Sequence, residues 1–166
     1  MKKLVSILGF LFFTGLIIAQ GPVKKGQAQF NTGLGLSSWG IPVYLGIDVG
    51  VHQDITVGGE LSFRSYYDHF AENRYAHSIV GISGNGNYHF NSLLKIPTNW
   101  DFYAGLNIGF YIWSNSDNYP GSHSSGLGLG AQIGGRYYFS RRFGINLEFG
   151  GGNAFSGGKF GISLRL

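Results

Sequence analysis

The C-terminal quarter of the chain alternates between apolar and small or polar residues with a period of two. In the segment GLGLGAQIGGRYYF, which begins at Gly126, one parity is apolar and the other is mostly Gly, with Gln132 and Arg136. Successive strand side chains point to opposite faces of a sheet, so this segment predicts a strand with one oily face. The same pattern returns in FGINLEFGG and in GKFGISLRL, which ends at Leu166.

The alternation predicts about eight strands, several of them as long as the roughly 9 to 11 residues of a tilted membrane strand. Ordinary soluble strands have about 5 to 6 residues. A sheet edge in lipid would leave backbone groups unpaired at several kcal/mol each, so we expect the sheet to close. The prediction is a closed antiparallel transmembrane β-barrel with an up-and-down meander. Its strands are expected at 27–37, 42–51, 55–66, 77–90, 100–112, 126–139, 143–151 and 158–166.

The links between these strands alternate in length. The links at 52–54 and 140–142 are tight, whereas YDHFAENRY and SNSDNYPGSHSS are longer and polar. Outer-membrane barrels combine short periplasmic turns with longer external loops, so this alternation favours an outer-membrane barrel. The link NSLLKIPTN departs from the pattern, because it is long for its side.

The N-terminus resembles a cleavable signal peptide. Lys2 and Lys3 precede an apolar run over 4–18, and Ala19 followed by Gln20 is a plausible cleavage point. An uncleaved membrane anchor is the alternative, although the run is shorter than the roughly 20 residues of a span. We therefore expect a signal peptide at 1–19, one barrel domain at 20–166, and export to the outer membrane.

Composition narrows the possible partners. Charged residues make up 12% of the chain, about half of the roughly 25% in an ordinary soluble domain. The net charge of +4 falls to +4 − 2 = +2 without Lys2 and Lys3, so we expect no nucleic-acid partner. There are no cysteines, and the five histidines are not at ligand spacing, so we expect no metal site and no cofactor.

The segments GRYYFSRRFGINLEFG and KFGISLRL resemble the small eight-stranded outer-membrane barrel family, which includes the barrel domain of outer-membrane protein A. The resemblance covers 27–166 and depends on pattern, without a catalytic motif. It implies contact with outer-membrane lipid and lipopolysaccharide, and insertion by the barrel assembly machinery. Members usually end in an aromatic residue, whereas this chain ends in Leu166.

Charged residues with inward parity are the candidate site. An unpaired buried ion is strongly destabilising, so we predict that these charges pair in one layer and close the lumen. The predicted lumenal network comprises Glu60, Arg64, Arg136, Glu148 and Arg165, and the same parity also contains Asp48, Asp101 and Lys159. The alternative is that the charges line a narrow pore for ions or small solutes.

The predicted role is structural or interactive, without catalysis. Loops 67–75 and 114–125 carry aromatic residues that could contact an extracellular partner. A less favoured alternative is an enzyme that modifies lipid A, with His123 and Ser125 two residues apart; however, Glu148 lies far from them in the expected register. A soluble lipocalin-like barrel is the alternative fold, and it would need an apolar interior.

Overall fold

The computed structural model describes residues 23–37, 40–70, 73–114, 125–152 and 156–166. Within them it contains eight strands and one short helix, α1, between the fourth and fifth strands. The strands are β1 Ala28–Ser37, β2 Val43–His52, β3 Ile55–Phe70, β4 Asn73–His89, β5 Trp100–Ser114, β6 Gly126–Tyr138, β7 Phe143–Gly152 and β8 Gly157–Arg165, and the helix is α1 Asn91–Leu94. No helix in the described part of the chain is long and apolar enough to cross a membrane.

Each strand pairs antiparallel with its neighbours in sequence, and β8 pairs with β1 to close the sheet. The closing ladder runs from Gln29 opposite Arg165 to Ser37 opposite Gly157. Closure leaves no row of unpaired N–H and C=O groups along the strands, which is the condition for a sheet in hydrocarbon. The predicted closed eight-stranded meander is therefore confirmed.

The two ends of the barrel differ. The first, here called the turn end, carries the tight turns at 53–54 and 139–142 and the link that contains α1. The opposite end, here called the loop end, carries the links at 38–42, 71–72, 115–125 and 153–156. The N-terminal segment lies at the turn end, where Gly26 N–H donates to Gly50 O at 2.8 Å.

One predicted loop is wrong. The segment 67–75 was expected to be a loop, but β3 continues to Phe70 and β4 begins at Asn73, so only two residues connect them. Outside a membrane the ladder can continue without an oily face, because pairing alone satisfies the backbone groups. The apolar alternation therefore stops before the strand does. Of the second predicted loop, 115–124 lie outside the described residues.

The outer face of the barrel is an exposed aliphatic belt. Side chains with the predicted outward parity are exposed on all eight strands, and Leu106 reaches 71% exposure. Soluble proteins rarely expose contiguous apolar patches larger than a few hundred Å². A belt that surrounds the whole barrel is therefore adapted to a hydrocarbon environment.

Aromatic rings border the belt at the turn end. Trp100 packs against Tyr137 with centroids 4.7 Å apart and stacks on Phe102 at 5.7 Å. Phe139 and Phe143 flank the β6–β7 turn with centroids 5.7 Å apart. Such rings mark the headgroup level of a membrane barrel.

The belt makes a first prediction about Leu106. It lies six positions along β5 from Trp100, about 20 Å along the strand, which places it near the middle of a bilayer. Leu106→Arg should lower the free energy of unfolding in phospholipid vesicles by about 2 to 4 kcal/mol.

Leu93 in α1 is the matched control, because it is 66% exposed but lies beyond the girdle. Leu93→Arg should cost less than about 1 kcal/mol, since the penalty falls toward the interface. Denaturant titration of both variants gives the comparison. Equal losses would contradict the lipid-facing assignment of the belt.

Candidate functional site

The inner face of the barrel is filled with polar side chains. Among the residues whose burial is described, most of the buried ones are polar or charged, and three of the five buried hydrophobic residues are tyrosines. An interior of this kind is stable only if its polar groups are hydrogen-bonded and its charges are paired. Two ion-pair clusters provide that pairing.

The first cluster, here called the turn-side cluster, is centred on Arg136 of β6. Its guanidinium donates to Asp48 Oδ2 on β2 and to Asp101 Oδ2 on β5, both at 2.9 Å. Asp48 also accepts from Asn31 Nδ2 at 2.9 Å and from Asn85 Nδ2 at 3.0 Å. Arg136 on β6 thus reaches β2 on the opposite side of the lumen, and the amides of Asn31 and Asn85 add a hydrogen bond to each oxygen of Asp48.

The second cluster, here called the mid-lumen cluster, is centred on Lys159 of β8. Its Nζ lies 2.8 Å from both oxygens of Glu60 and 3.1 Å from Glu148 Oε1. Tyr103 connects the two clusters: its hydroxyl donates to Glu148 Oε2 at 2.8 Å, and Arg136 lies 4.2 Å from its ring centroid. A cavity of about 40 Å³ lies between the clusters, with room for only a few water molecules.

The predicted network residues are divided between these clusters and the barrel ends. Glu60 and Glu148 meet through Lys159, whereas Arg136 pairs with Asp48 and Asp101. The register places Arg136 diagonal to Glu148, because Gly134 is opposite Glu148. The arrangement is therefore two clusters, where the sequence suggested one layer.

Two of the predicted residues lie outside both clusters. Arg64 donates to Ser37 Oγ at 3.1 Å toward the loop end. Arg165 lies at the turn end, where its guanidinium carbon is 3.3 Å from the Tyr138 ring centroid and its Nη2 donates to Thr98 O at 3.3 Å. Parity correctly indicates that they face inward, but it does not indicate their depth.

A buried Thr–His–Asp arrangement extends the turn-side cluster, and sequence reasoning missed it. His89 Nδ1 lies 2.7 Å from Asp101 Oδ1, and its Nε2 lies 3.0 Å from Thr56 Oγ1. The shared inward parity of Thr56, His89 and Asp101 was a signal, but their proximity depends on the register across the link that contains α1. The sequence pattern alone does not determine how β4 and β5 are aligned across that link.

This arrangement matches the geometry of a hydrolase triad but not its accessibility. A triad nucleophile must reach a substrate carbonyl, with donors for the developing oxyanion beside it. Thr56 and Asp101 are 0% exposed and His89 is 1% exposed. The hydrogen bonds therefore fix the orientation of Asp101 beneath Arg136, and no substrate atom can approach Thr56.

The other candidate chemistry receives no support from the described geometry. His123 lies outside the described residues, and Ser125 Oγ accepts a hydrogen bond from Trp113 N–H at 3.0 Å. Within the described part of the chain, no group of three or more His, Asp or Glu side chains is placed to hold a metal ion.

On the inner face, glycines leave space for tyrosine side chains that extend across the neighbouring strand. Tyr103 of β5 lies opposite Gly134 of β6, and a Cβ on Gly134 would overlap the Tyr103 ring. Its hydroxyl therefore passes over β6 to Glu148 of β7. Tyr44 of β2 likewise reaches Asn146 of β7, where its hydroxyl donates to Oδ1 at 2.7 Å.

Comparison with solved structures finds the same fold in small outer-membrane barrels. The outer membrane protein OprG of Pseudomonas aeruginosa has 8% identity and a TM-score of 0.67, over 87% of this chain and 97% of its own. The N-terminal β-barrel domain of OprF from the same organism has 13% identity and a TM-score of 0.55, over 85% and 96%.

The attachment invasion locus protein Ail of Yersinia pestis, solved with the heparin analogue sucrose octasulfate, also matches. It has 13% identity and a TM-score of 0.57, over 86% of this chain and 99% of its own. No family model matches the sequence, and no curated protein matches it. At these identities the likeness is one of fold: a closed, eight-stranded outer-membrane type of barrel.

The turn-side cluster makes a prediction about Arg136. Arg136→Ala leaves Asp48 and Asp101 buried without their cation, so it should lower the free energy of unfolding by about 3 to 5 kcal/mol. Arg142→Ala, at an exposed turn residue, should change it by less than about 0.5 kcal/mol. Melting temperatures in the same vesicles provide the measurement, and equal values for the two variants would refute the ion-pair explanation.

The tyrosine crossing makes a prediction about Gly134. Gly134→Ala should destabilise the barrel by about 1 to 3 kcal/mol, because the ring of Tyr103 must move. Gly86→Ala is the control, since a Cβ there meets no atom within 4 Å. Unfolding free energies that change by the same amount in both variants would show that the crossing is not sterically constrained.

Proposed function

We propose that this chain is an integral outer-membrane barrel whose lumen is closed by its own side chains, and whose role is structural or interactive, without catalysis. The observation that carries the proposal is the contrast between the two faces of one closed sheet. The outer face is an exposed aliphatic belt, and the inner face is a buried polar network that contains two ion-pair clusters.

Several features support the membrane location. The closed ladder satisfies the strand backbones internally, and the aromatic girdle ends the belt on one side. The fold matches outer-membrane barrels over nearly their whole length. By the usual arrangement of such barrels, the turn end faces the periplasm and the loop end faces the exterior. Outer-membrane lipid and lipopolysaccharide then surround the belt.

Export and insertion belong to the same proposal. The signal peptide expected at 1–19 lies outside the described residues. Its removal would deliver the barrel at 20–166 to the periplasm, where the barrel assembly machinery would insert it. Leu166 follows the end of β8, and its apolar side chain is exposed.

Closure of the lumen follows from its width and its charges. Eight strands enclose an interior that side chains just fill. Arg136 joins β2, β5 and β6 across this space, and Lys159 joins β3, β7 and β8. Ion passage would require breaking charge-assisted hydrogen bonds in both clusters, and each break would leave a buried charge without its partner, which is strongly destabilising.

A role in surface interaction is supported by the hairpin of β3 and β4. Phe63 and Val80 form an exposed apolar pair on these strands, and the ladder continues beyond them for seven further pairs to Phe70 opposite Asn73. At about 3.3 Å per residue this extension reaches about 23 Å along the strand. It presents Tyr67, which is half-exposed, to whatever lies outside the membrane.

The experiment for this proposal combines gel migration with conductance. Unboiled protein from the outer-membrane fraction should migrate differently from boiled protein, as a folded barrel does. Purified barrel in a planar bilayer should show no steady ion conductance. A soluble periplasmic protein with no shift would overturn the membrane assignment, and reproducible conductance steps would favour the narrow pore.

A further inference from the structure

The turn end carries a basic pocket that the lumenal clusters do not use. It has a volume of about 610 Å³ and is bordered by the N-terminal segment, the β4–β5 link, the β6–β7 turn and the end of β8. Four cationic residues from three separate segments line it: Lys24, Arg141, Arg142 and Arg165. None of them forms an ion pair with another described residue.

The lining contains almost no compensating negative charge. Among the described residues that line the pocket there is no Asp or Glu. The lumen behaves differently, since Arg136 and Lys159 are each held by two carboxylates. The carboxylates of the lumen therefore neutralise Arg136 and Lys159, whereas the cations at this opening leave a positive potential that attracts an anion.

Backbone hydrogen bonds hold the basic segments in place. Ser140 Oγ accepts from the N–H of Arg142 at 3.3 Å and from that of Phe143 at 3.0 Å, which orders the turn. Arg165 N–H donates to Arg142 O at 2.8 Å, and its guanidinium lies on the Tyr138 ring. The backbone of the turn and the guanidinium of Arg165 are therefore held in place before any ligand binds, which lowers the entropic cost of binding.

The pocket also has an apolar side that adjoins the membrane surface. Phe139 belongs to the girdle and lines the pocket, and Leu166 lines it as well; both are more than half exposed. An anion dissolved in water would gain nothing from these side chains, whereas a lipid would contact them with its glycerol and upper acyl chain. The girdle places this pocket at headgroup depth.

We infer that this pocket binds the phosphate of an anionic phospholipid in the adjacent leaflet, with Lys24, Arg141, Arg142 and Arg165 as the recognising cations. The inference rests on the proposed membrane location. Basic clusters beside a membrane recognise anionic lipid through additive electrostatic attraction. Bound lipid would contact the N-terminal segment, the β6–β7 turn and the end of β8 together.

The test is a titration of the folded barrel in zwitterionic detergent micelles, followed by the backbone amide signals of Ser140, Arg141, Arg142 and Arg165. Dihexanoyl phosphatidylglycerol should cause saturable shifts in these signals. Arg141→Gln together with Arg142→Gln should weaken binding roughly 25-fold, at about fivefold per cation. Lys24→Gln alone should weaken it about fivefold.

Lys25→Gln together with Lys95→Gln is the matched control. Both residues are exposed, Lys25 follows Lys24 at the turn end, and Lys95 lies in the link beyond α1; neither lines the pocket. The double control removes the same charge and should leave the affinity unchanged. An equal loss in both double variants would show attraction by net charge alone and would overturn the pocket.

The source of the phosphate is tested with two soluble probes. Glycerophosphoglycerol has the lipid headgroup without acyl chains, and inorganic phosphate has the anion alone; both should bind more weakly than the lipid. Equal affinity for inorganic phosphate would overturn the lipid as the ligand. A heat-modifiable barrel without amide shifts would refute this inference alone, whereas a soluble protein without a gel shift would refute the proposed function.

Discussion

The narrowness of the lumen governs this structure. Eight strands leave an interior that only side chains can fill, so every charge placed there must find its partner across a few ångströms. Arg136 forms ion pairs with Asp48 and Asp101, which lie on different strands, and Lys159 forms ion pairs with Glu60 and Glu148. Each cluster contains one ion pair between strands that share no ladder: Arg136 with Asp48 joins β6 to β2, and Lys159 with Glu60 joins β8 to β3. These two pairs resist a flattening of the cross-section that the ladders alone would permit.

The two faces of the sheet differ in how their side chains are solvated. The outer face depends on its surroundings to cover its exposed aliphatic side chains. The inner face buries most of its polar side chains, and hydrogen bonds within the barrel satisfy many of their atoms, as Asn31, Asn85 and Asn146 do for their neighbours. The core of this barrel is therefore polar, and hydrogen bonds and ion pairs, more than buried apolar area, hold its interior together.

The sequence predicts those features that depend on the two-residue alternation of apolar and polar side chains. The faces of β5 and β6 follow from the period of two, and closure follows from the cost of an unpaired edge. It fails where parity carries no information. The parts of β3 and β4 nearest the loop end extend beyond the apolar belt, so their sequence lacks the hydrophobic alternation and predicts a loop at 67–75 where the strands continue.

The candidate site was only partly predictable for a related reason. Parity places Arg136, Glu60 and Glu148 inside, but partner choice depends on how far each strand is offset from the next. The offset across the link that contains α1 brings His89 to Asp101, and no local pattern reports it. The unpaired cations at the turn end were also hidden, because they lie far apart in sequence and meet only when the barrel closes.

The glycines under the crossing tyrosines have a consequence for assembly. A strand that slips by two residues keeps every side chain on its proper face, so the period of two cannot prevent such an error. Gly134 is flanked on the inner face by Gln132 and Arg136, and a two-residue slip would bring one of these against the Tyr103 ring. The glycine therefore acts as an indexing notch that selects one alignment of β5 and β6 among those that parity allows.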